Sequence, residues 1–289
     1  MENDQIVLKL NKIYALIKEK NLDEADEKLQ KLIDNTPKTE IDTHGQVLDF
    51  DNQIQFIFYC KNRNKKDIPI QWTKSYLSEM YYIKGVILFE KNKYLEAIKY
   101  HKIALKWNPV KIKSYMEILE CYIKLKNVDE FYNNFITALT IALEPKDIST
   151  IYRKYAFLCI ELKDYELAYN LLKYSCLIYY REENMREIDY LSSIAKVNLK
   201  KVPDIGTIQF IRNNNLEYNP NPIIAATYAS QAELYESFLE KEKTSKEQEL
   251  NILDNLINIY SNLYFFDCNV QTHNLKLNAI KKYMEKSKE

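Results

Sequence analysis

The chain repeats itself. Windows 78–111, 112–145 and 149–182 are equal in length and share one plan: an apolar-periodic helical half, a short polar turn, and a second helical half. In the first of these the halves are SEMYYIKGVILFEK and YLEAIKYHKIALKWNP, with the turn at Asn92 and Lys93. Pro109 closes it, because proline has no N–H with which to continue a helix. The same register falls on residues 6–39, with Leu22, Ala25, Leu29, Leu32 and Pro37 at the corresponding places. A period of this length constrains the fold more than any other feature. Each unit is one helical hairpin that cannot cover its apolar face alone, so neighbours must stack.

The small residues carry the packing code. Two antiparallel helices approach closely only where the facing side chains are small. Gly85 and Ala97 are expected to meet at such a point, and Ala104 to pack on the next repeat's first helix. Tyrosines fill the wider gaps.

Composition agrees with a helical chain. Three glycines and seven prolines in 289 residues are too few for a many-stranded sandwich with tight turns. With 41 basic and 41 acidic residues, no net field draws the chain onto nucleic acid or anionic membrane. Lysine and asparagine interrupt the N-terminal segment, which lacks the unbroken apolar run of a signal peptide. No stretch approaches a membrane span, so a cytoplasmic location without membrane contact is expected. Cys60, Cys121, Cys159, Cys176 and Cys268 stand singly, the pattern of reduced buried thiols rather than of disulfides or a zinc site.

The windows resemble tetratricopeptide repeats, helix–turn–helix units that stack into a superhelix. In 78–111 the family's characteristic places hold Tyr81, Gly85, Tyr94, Ala97, Ala104 and Pro109; in 149–182 they hold Tyr152, Ala156, Tyr165, Ala168 and Ser175, with Tyr180 in place of the proline. Window 112–145 departs from the pattern at Leu119, Val128 and Phe131. The resemblance covers about half the chain. It implies an all-α fold, a right-handed α-solenoid with a degenerate helical C-terminal extension. Residues 1–182 then form the repeats (6–39, 78–111, 112–145, 149–182), and 183–289 form hairpins that cap or extend the stack.

Residues 40–77 read as an irregular insertion, in which QIQFIFYC fits either a short helix or an edge strand and KNRNKKD a solvated turn. Beyond residue 183 a stripe runs through Met185, Ile188, Leu191, Ala195 and Leu199, stopped by Pro203. Asn221 and Pro222 open a further helix, Thr244 to Glu247 resemble a capping box, and a last helix starts near Val270.

Catalytic motifs are missing from the sequence: it has no H-E-x-x-H, G-x-S-x-G, P-loop or dinucleotide fingerprint. His44, His101 and His273 are far apart, and His101 occupies a packing place. No enzymatic activity, metal or cofactor is expected. What remains is a surface. In a tetratricopeptide stack one stripe of each first helix lines the concave wall, which here implies Glu79, Tyr82, Val86 and Phe89, then Lys113, Met116, Glu120 and Ile123, then Thr150, Arg153, Phe157 and Ile160. The lysine and asparagine with which some family members grip a C-terminal carboxylate are replaced by Tyr82 and Val86, or by Met116 and Glu120. The stripe is aromatic and apolar with a few charges. Tyr82, Val86, Phe89, Met116, Glu120, Arg153, Phe157 and Ile160 are the candidate protein-binding residues, with Arg153 the anchor for an acidic or carbonyl group. The expected function is a non-enzymatic scaffold that binds a peptide or protein segment. A peptide-sensing regulator is the alternative. RNA binding by helical repeats would require a basic groove, which mixed charge argues against. Packing of 40–77 or 183–289 into the groove is the competing reading of the stripe.

Overall fold

The computed structural model describes residues 2–37, 45–64, 68–195, 204–240 and 245–288. Within them the chain is all-α apart from one small sheet. The first window forms α1 (Glu2–Lys18) and α2 (Leu22–Asn35). The next three form α4 (Leu77–Glu90) with α5 (Tyr94–Trp107), α6 (Ile112–Leu125) with α7 (Val128–Ile141), and α8 (Pro145–Glu161) with α9 (Tyr165–Ile178). These bounds follow the sequence period closely, except that α1 and α8 each start four residues ahead of their windows, at Glu2 and Pro145.

The period also appears in the backbone. The residue that terminates each first helix is left-handed: Lys20 (φ 61), Asn92 (φ 60), Lys126 (φ 53) and Lys163 (φ 65). All four stand at the same place of their windows. At each, the next residue's N–H reaches back to a carbonyl in the last turn of the helix, as in Asn21 to Leu16, Lys93 to Leu88, Asn127 to Tyr122 and Asp164 to Cys159, at 2.9–3.1 Å. This is the Schellman turn, which satisfies carbonyls that a helix end would otherwise leave bare. The residue after the turn opens the second helix, and in two repeats it caps it: Asn127 accepts from Glu130 N–H and Asp164 from Leu167 N–H.

Apolar spacing then decides which faces are covered. Ala25, Leu29, Leu32 and Ile33 line the buried side of α2. They share a core with Leu10 and Ile13 of α1 and with Leu77, Met80, Ile83 and Ile87 of α4. So α2 packs directly on α4, although the whole insertion separates them in sequence. Gly85 has a neighbour the sequence did not suggest. A Cβ added there would lie 2.5 Å from the His101 ring. The missing side chain therefore accommodates an imidazole, which is wholly buried and whose two nitrogens have no hydrogen-bond partner among the described residues.

The insertion holds β1 (Gln46–Leu48), α3 (Gln53–Asn62) and β2 (Ile70–Trp72). QIQFIFYC is thus a helix, and the two strands pair in parallel, Val47 opposite Gln71. Phe50, Phe56 and Trp72 cluster beside them, with Phe56 and Trp72 stacked at 5.4 Å and Trp72 Nε1 donating to the Phe50 carbonyl.

After α9 come α10 (Glu182–Ala195) and α11 (Asp204–Asn213), both packed on α9. Tyr152 donates to the Leu216 carbonyl at 2.6 Å, fastening the segment after α11 to α8. The α10 stripe differs from expectation. Leu191 is buried but Met185 is exposed, because the covered face runs through Asn184 and Leu191. Asn184 reaches Ser175 at 3.2 Å and so belongs to the α9 contact. The chain divides into two compact units, one of 1–56, 64–142 and 146–218 and another of 57–63, 143–145 and 219–289. The second contains α12 (Pro222–Leu239), α13 (Lys246–Asp267) and α14 (Val270–Lys288), packed in sequence order. Asn221 caps α12 as its position suggests. The capping box of α13 is Ser245 with Gln248, one place later than the sequence spacing indicated, since Gln248 is the side chain that returns to the Ser245 N–H. His44, Leu199, Pro203 and Thr244 lie outside the described residues. No helix among the described residues is long and apolar enough to cross a membrane.

Two outcomes follow from the Gly85–His101 contact. Gly85→Leu should cost about 1–3 kcal/mol by overpacking, and adding His101→Ala should recover most of that. Urea midpoints that show no coupling between the two changes would refute the contact. Burial also pushes the His101 pKa down to about 3 from an ordinary 6.5. The unfolded chain then takes up this proton below about pH 6.5 while the folded chain does not. Stability is unaffected above that pH and falls below it, by about 1.4 kcal/mol per pH unit down to about 3. Burial raises Asp49 to about 6 from 3.8, which acts in the opposite sense: its contribution is present at low pH and is lost as pH rises from 3.8 to about 6. Comparison with His101→Leu isolates the histidine. The variant should lose less stability than the wild type between pH 6.5 and 4, and parallel curves would contradict the assignment.

Candidate binding surface

The first helices of successive repeats are joined side to side by charged and polar pairs. Tyr14 of α1 donates to Glu79 of α4, and Lys20 meets Glu90 at 2.5 Å. From α2, Asp26 holds Lys84 at 2.5 Å and Asp23 holds Lys91 at 2.7 Å. α4 packs directly on α6. Lys154 of α8 meets Glu120 of α6 at 2.9 Å, and Arg153 of α8 grips Glu187 of α10 through two nitrogens. These rungs place α1, α4, α6, α8 and α10 in one series.

Each of the eight candidate residues is half-buried. Tyr82, Val86 and Phe89 lie on α4, Met116 and Glu120 on α6, and Arg153, Phe157 and Ile160 on α8. Their surroundings differ. Tyr82 packs against the shared core, its ring 5.5 Å from that of His101, with the Lys111 ammonium 5.7 Å above it. Burial, then the charges of Glu117, Glu79 and Asp51, push the Tyr82 pKa up. The Phe89 ring lies 5.4 Å from that of Tyr94. Glu120 and Arg153 are occupied by Lys154 and Glu187. Arg153 therefore does not stand ready as an anchor, because Glu187 of α10 already occupies it. Ile123, at the end of the α6 stripe, is buried.

Sequence reasoning missed a buried ionic node at the start of α4 and α6. The Lys111 side chain is 0% exposed and its ammonium lies 2.6 Å from Asp51 and 2.7 Å from Glu79. Burial opposes the charge, but the two carboxylates outweigh it and hold Lys111 above its ordinary pKa. Burial likewise works against the Glu79 charge, yet Lys111 and the Tyr14 hydroxyl keep it below the usual carboxylate range. Just before Asp51, Asp49 accepts from Ser78 N–H at 2.9 Å at the α4 N-terminus, where a carboxylate is favoured. Its own N–H donates to the Trp107 carbonyl. The insertion is thereby pinned to α4 and α5 close to Tyr82. No local spacing could have revealed the pairing of Asp51 in the insertion with Lys111, 60 residues further along the chain; the hint in the sequence was acid–aromatic–acid at Asp49, Phe50 and Asp51.

As chemistry, the arrangement offers fixed charge pairs and an apolar face. The Cys121 and Cys159 thiols are pushed up to about 12, chiefly by burial. Among the described residues no group of three or more His, Cys, Asp and Glu is placed to hold a metal ion. Comparison with family models gives no match, and comparison with curated proteins gives none.

Lys111→Met leaves two carboxylates beside a buried site without their cation and should cost about 3–5 kcal/mol. Adding Asp51→Asn and Glu79→Gln should return much of the loss. A single substitution that leaves the denaturation midpoint unchanged would show the node to be solvated.

Proposed function

We propose that this chain is a non-enzymatic protein-interaction scaffold of the tetratricopeptide type. In this reading the helix pairs continue as a right-handed solenoid, and the first-helix stripe of Val86, Phe89, Met116, Phe157 and Ile160 receives a peptide or protein segment. The observation that carries the proposal is that this stripe is half-buried on three neighbouring helices, though most apolar residues on these helices are fully covered. A half-buried apolar stripe gains from being covered by a partner. The matching left-handed turn in four successive windows supports the repeat assignment. Tyr82 contributes to the wall of the site but is held by Lys111 and His101, so the ligand contact is assigned to the residues beyond it.

The test is selection of peptides from a random display library on the intact protein, followed by binding to a Met116→Ala, Phe157→Ala variant. The selected peptides should lose binding, while helicity is kept and stability falls by no more than about 2 kcal/mol. If the face were core, Phe157→Ala alone would cost about 3–5 kcal/mol. A library that yields no binder, or binders indifferent to the variant, would overturn the proposal.

A further inference from the structure

Glu117 stands apart from the carboxylates around it. Lys113, Met116, Glu117 and Glu120 follow one another at helical spacing, so Glu117 shares the α6 face already described. Neighbouring acids each hold a cation: Glu79 holds Lys111, Glu120 holds Lys154, and Glu187 holds Arg153. Glu117 is half-buried as they are, yet has no hydrogen bond or ion pair among the described residues. Lys154, the cation acting on it, is committed to Glu120 at 2.9 Å, while Glu120 and Glu90 add like charge.

We propose that this face takes a partner segment which presents a lysine or arginine to Glu117, between apolar side chains seated on Val86, Met116 and Phe157. The inference rests on the groove reading above and adds the chemistry of the occupant. An apolar segment laid over the face would remove the remaining water from an unpaired carboxylate, a cost that rejects such a ligand. A segment carrying a cation replaces that water with a charge-assisted hydrogen bond. Burial and the two neighbouring glutamates already push the Glu117 pKa upward, so the site is short of positive charge before any ligand arrives.

The experiment uses the same display library on the intact protein. Recovered peptides should carry a lysine or arginine flanked by apolar residues, and Glu117→Gln should weaken them about tenfold. Glu117→Lys should reverse the preference toward a glutamate or aspartate at that position. Both variants remove a partly desolvated unpaired carboxylate, so thermal unfolding should show them as stable as the wild type or more so. Peptides that lose binding in the Met116→Ala, Phe157→Ala variant but lack a basic residue, or ignore Glu117→Gln, would overturn this inference and leave the groove standing. A library without binders would overturn both.

Discussion

Each first helix has to stop at one defined residue so that the second can return along it. Lys20, Asn92, Lys126 and Lys163 do this by entering the left-handed region, where an L-residue sits at a cost of roughly 1–2 kcal/mol. Glycine would be the ordinary choice, and none is used. The cost is offset by the hydrogen bond each turn closes and by the apolar faces the return brings together. Because the turn recurs at one place of the period, each helix pair leaves its turn in the same way, and neighbouring pairs can meet through equivalent faces. Core and surface both depend on that repetition.

The apolar contacts set how close the helices lie, and the charges set their register along the series. Tyr14–Glu79 and Glu120–Lys154 each join two first helices, Lys20–Glu90 joins the turn after α1 to α4, and Arg153–Glu187 joins α8 to α10, so a slip of one helix along its neighbour breaks a pair. Lys20–Glu90 is exposed enough to contribute little free energy by itself. Lys111 is different. Its full burial makes removal of either partner expensive, and it ties the insertion to the helix pair that follows it. Although acidic and basic residues balance in number, Glu117 of α6 has no ion pair among the described residues.

How much of this was legible before the structure depends on the range of each interaction. Helix positions, turn positions and the buried places of the repeat follow from spacing within a single repeat, and they emerged almost as read. The capping box forms at Ser245 rather than Thr244 because the two are chemically equivalent caps, and only the return of Gln248 distinguishes them. Spacing alone does not fix the covered face of α10, since both Met185 and Leu191 fit a helical stripe; the contact of Asn184 with α9 chooses between them. For the candidate surface, the sequence named a stripe of residues that the fold leaves half-buried, but not what each of them touches. Arg153 and Glu120 look available in the sequence and are engaged in the fold.

The sequence by itself determined that helices form, where each ends and which face of each is apolar, because these are properties of residues within a few turns of one another. Tertiary structure alone decided that Gly85 makes room for His101, that Asp51 of the insertion reaches Lys111, and that Glu117 has no ion pair among the described residues. Those outcomes depend on which side chains meet across neighbouring helices. The physical reason is that a charge or a small residue has a local identity but a partner chosen only by packing.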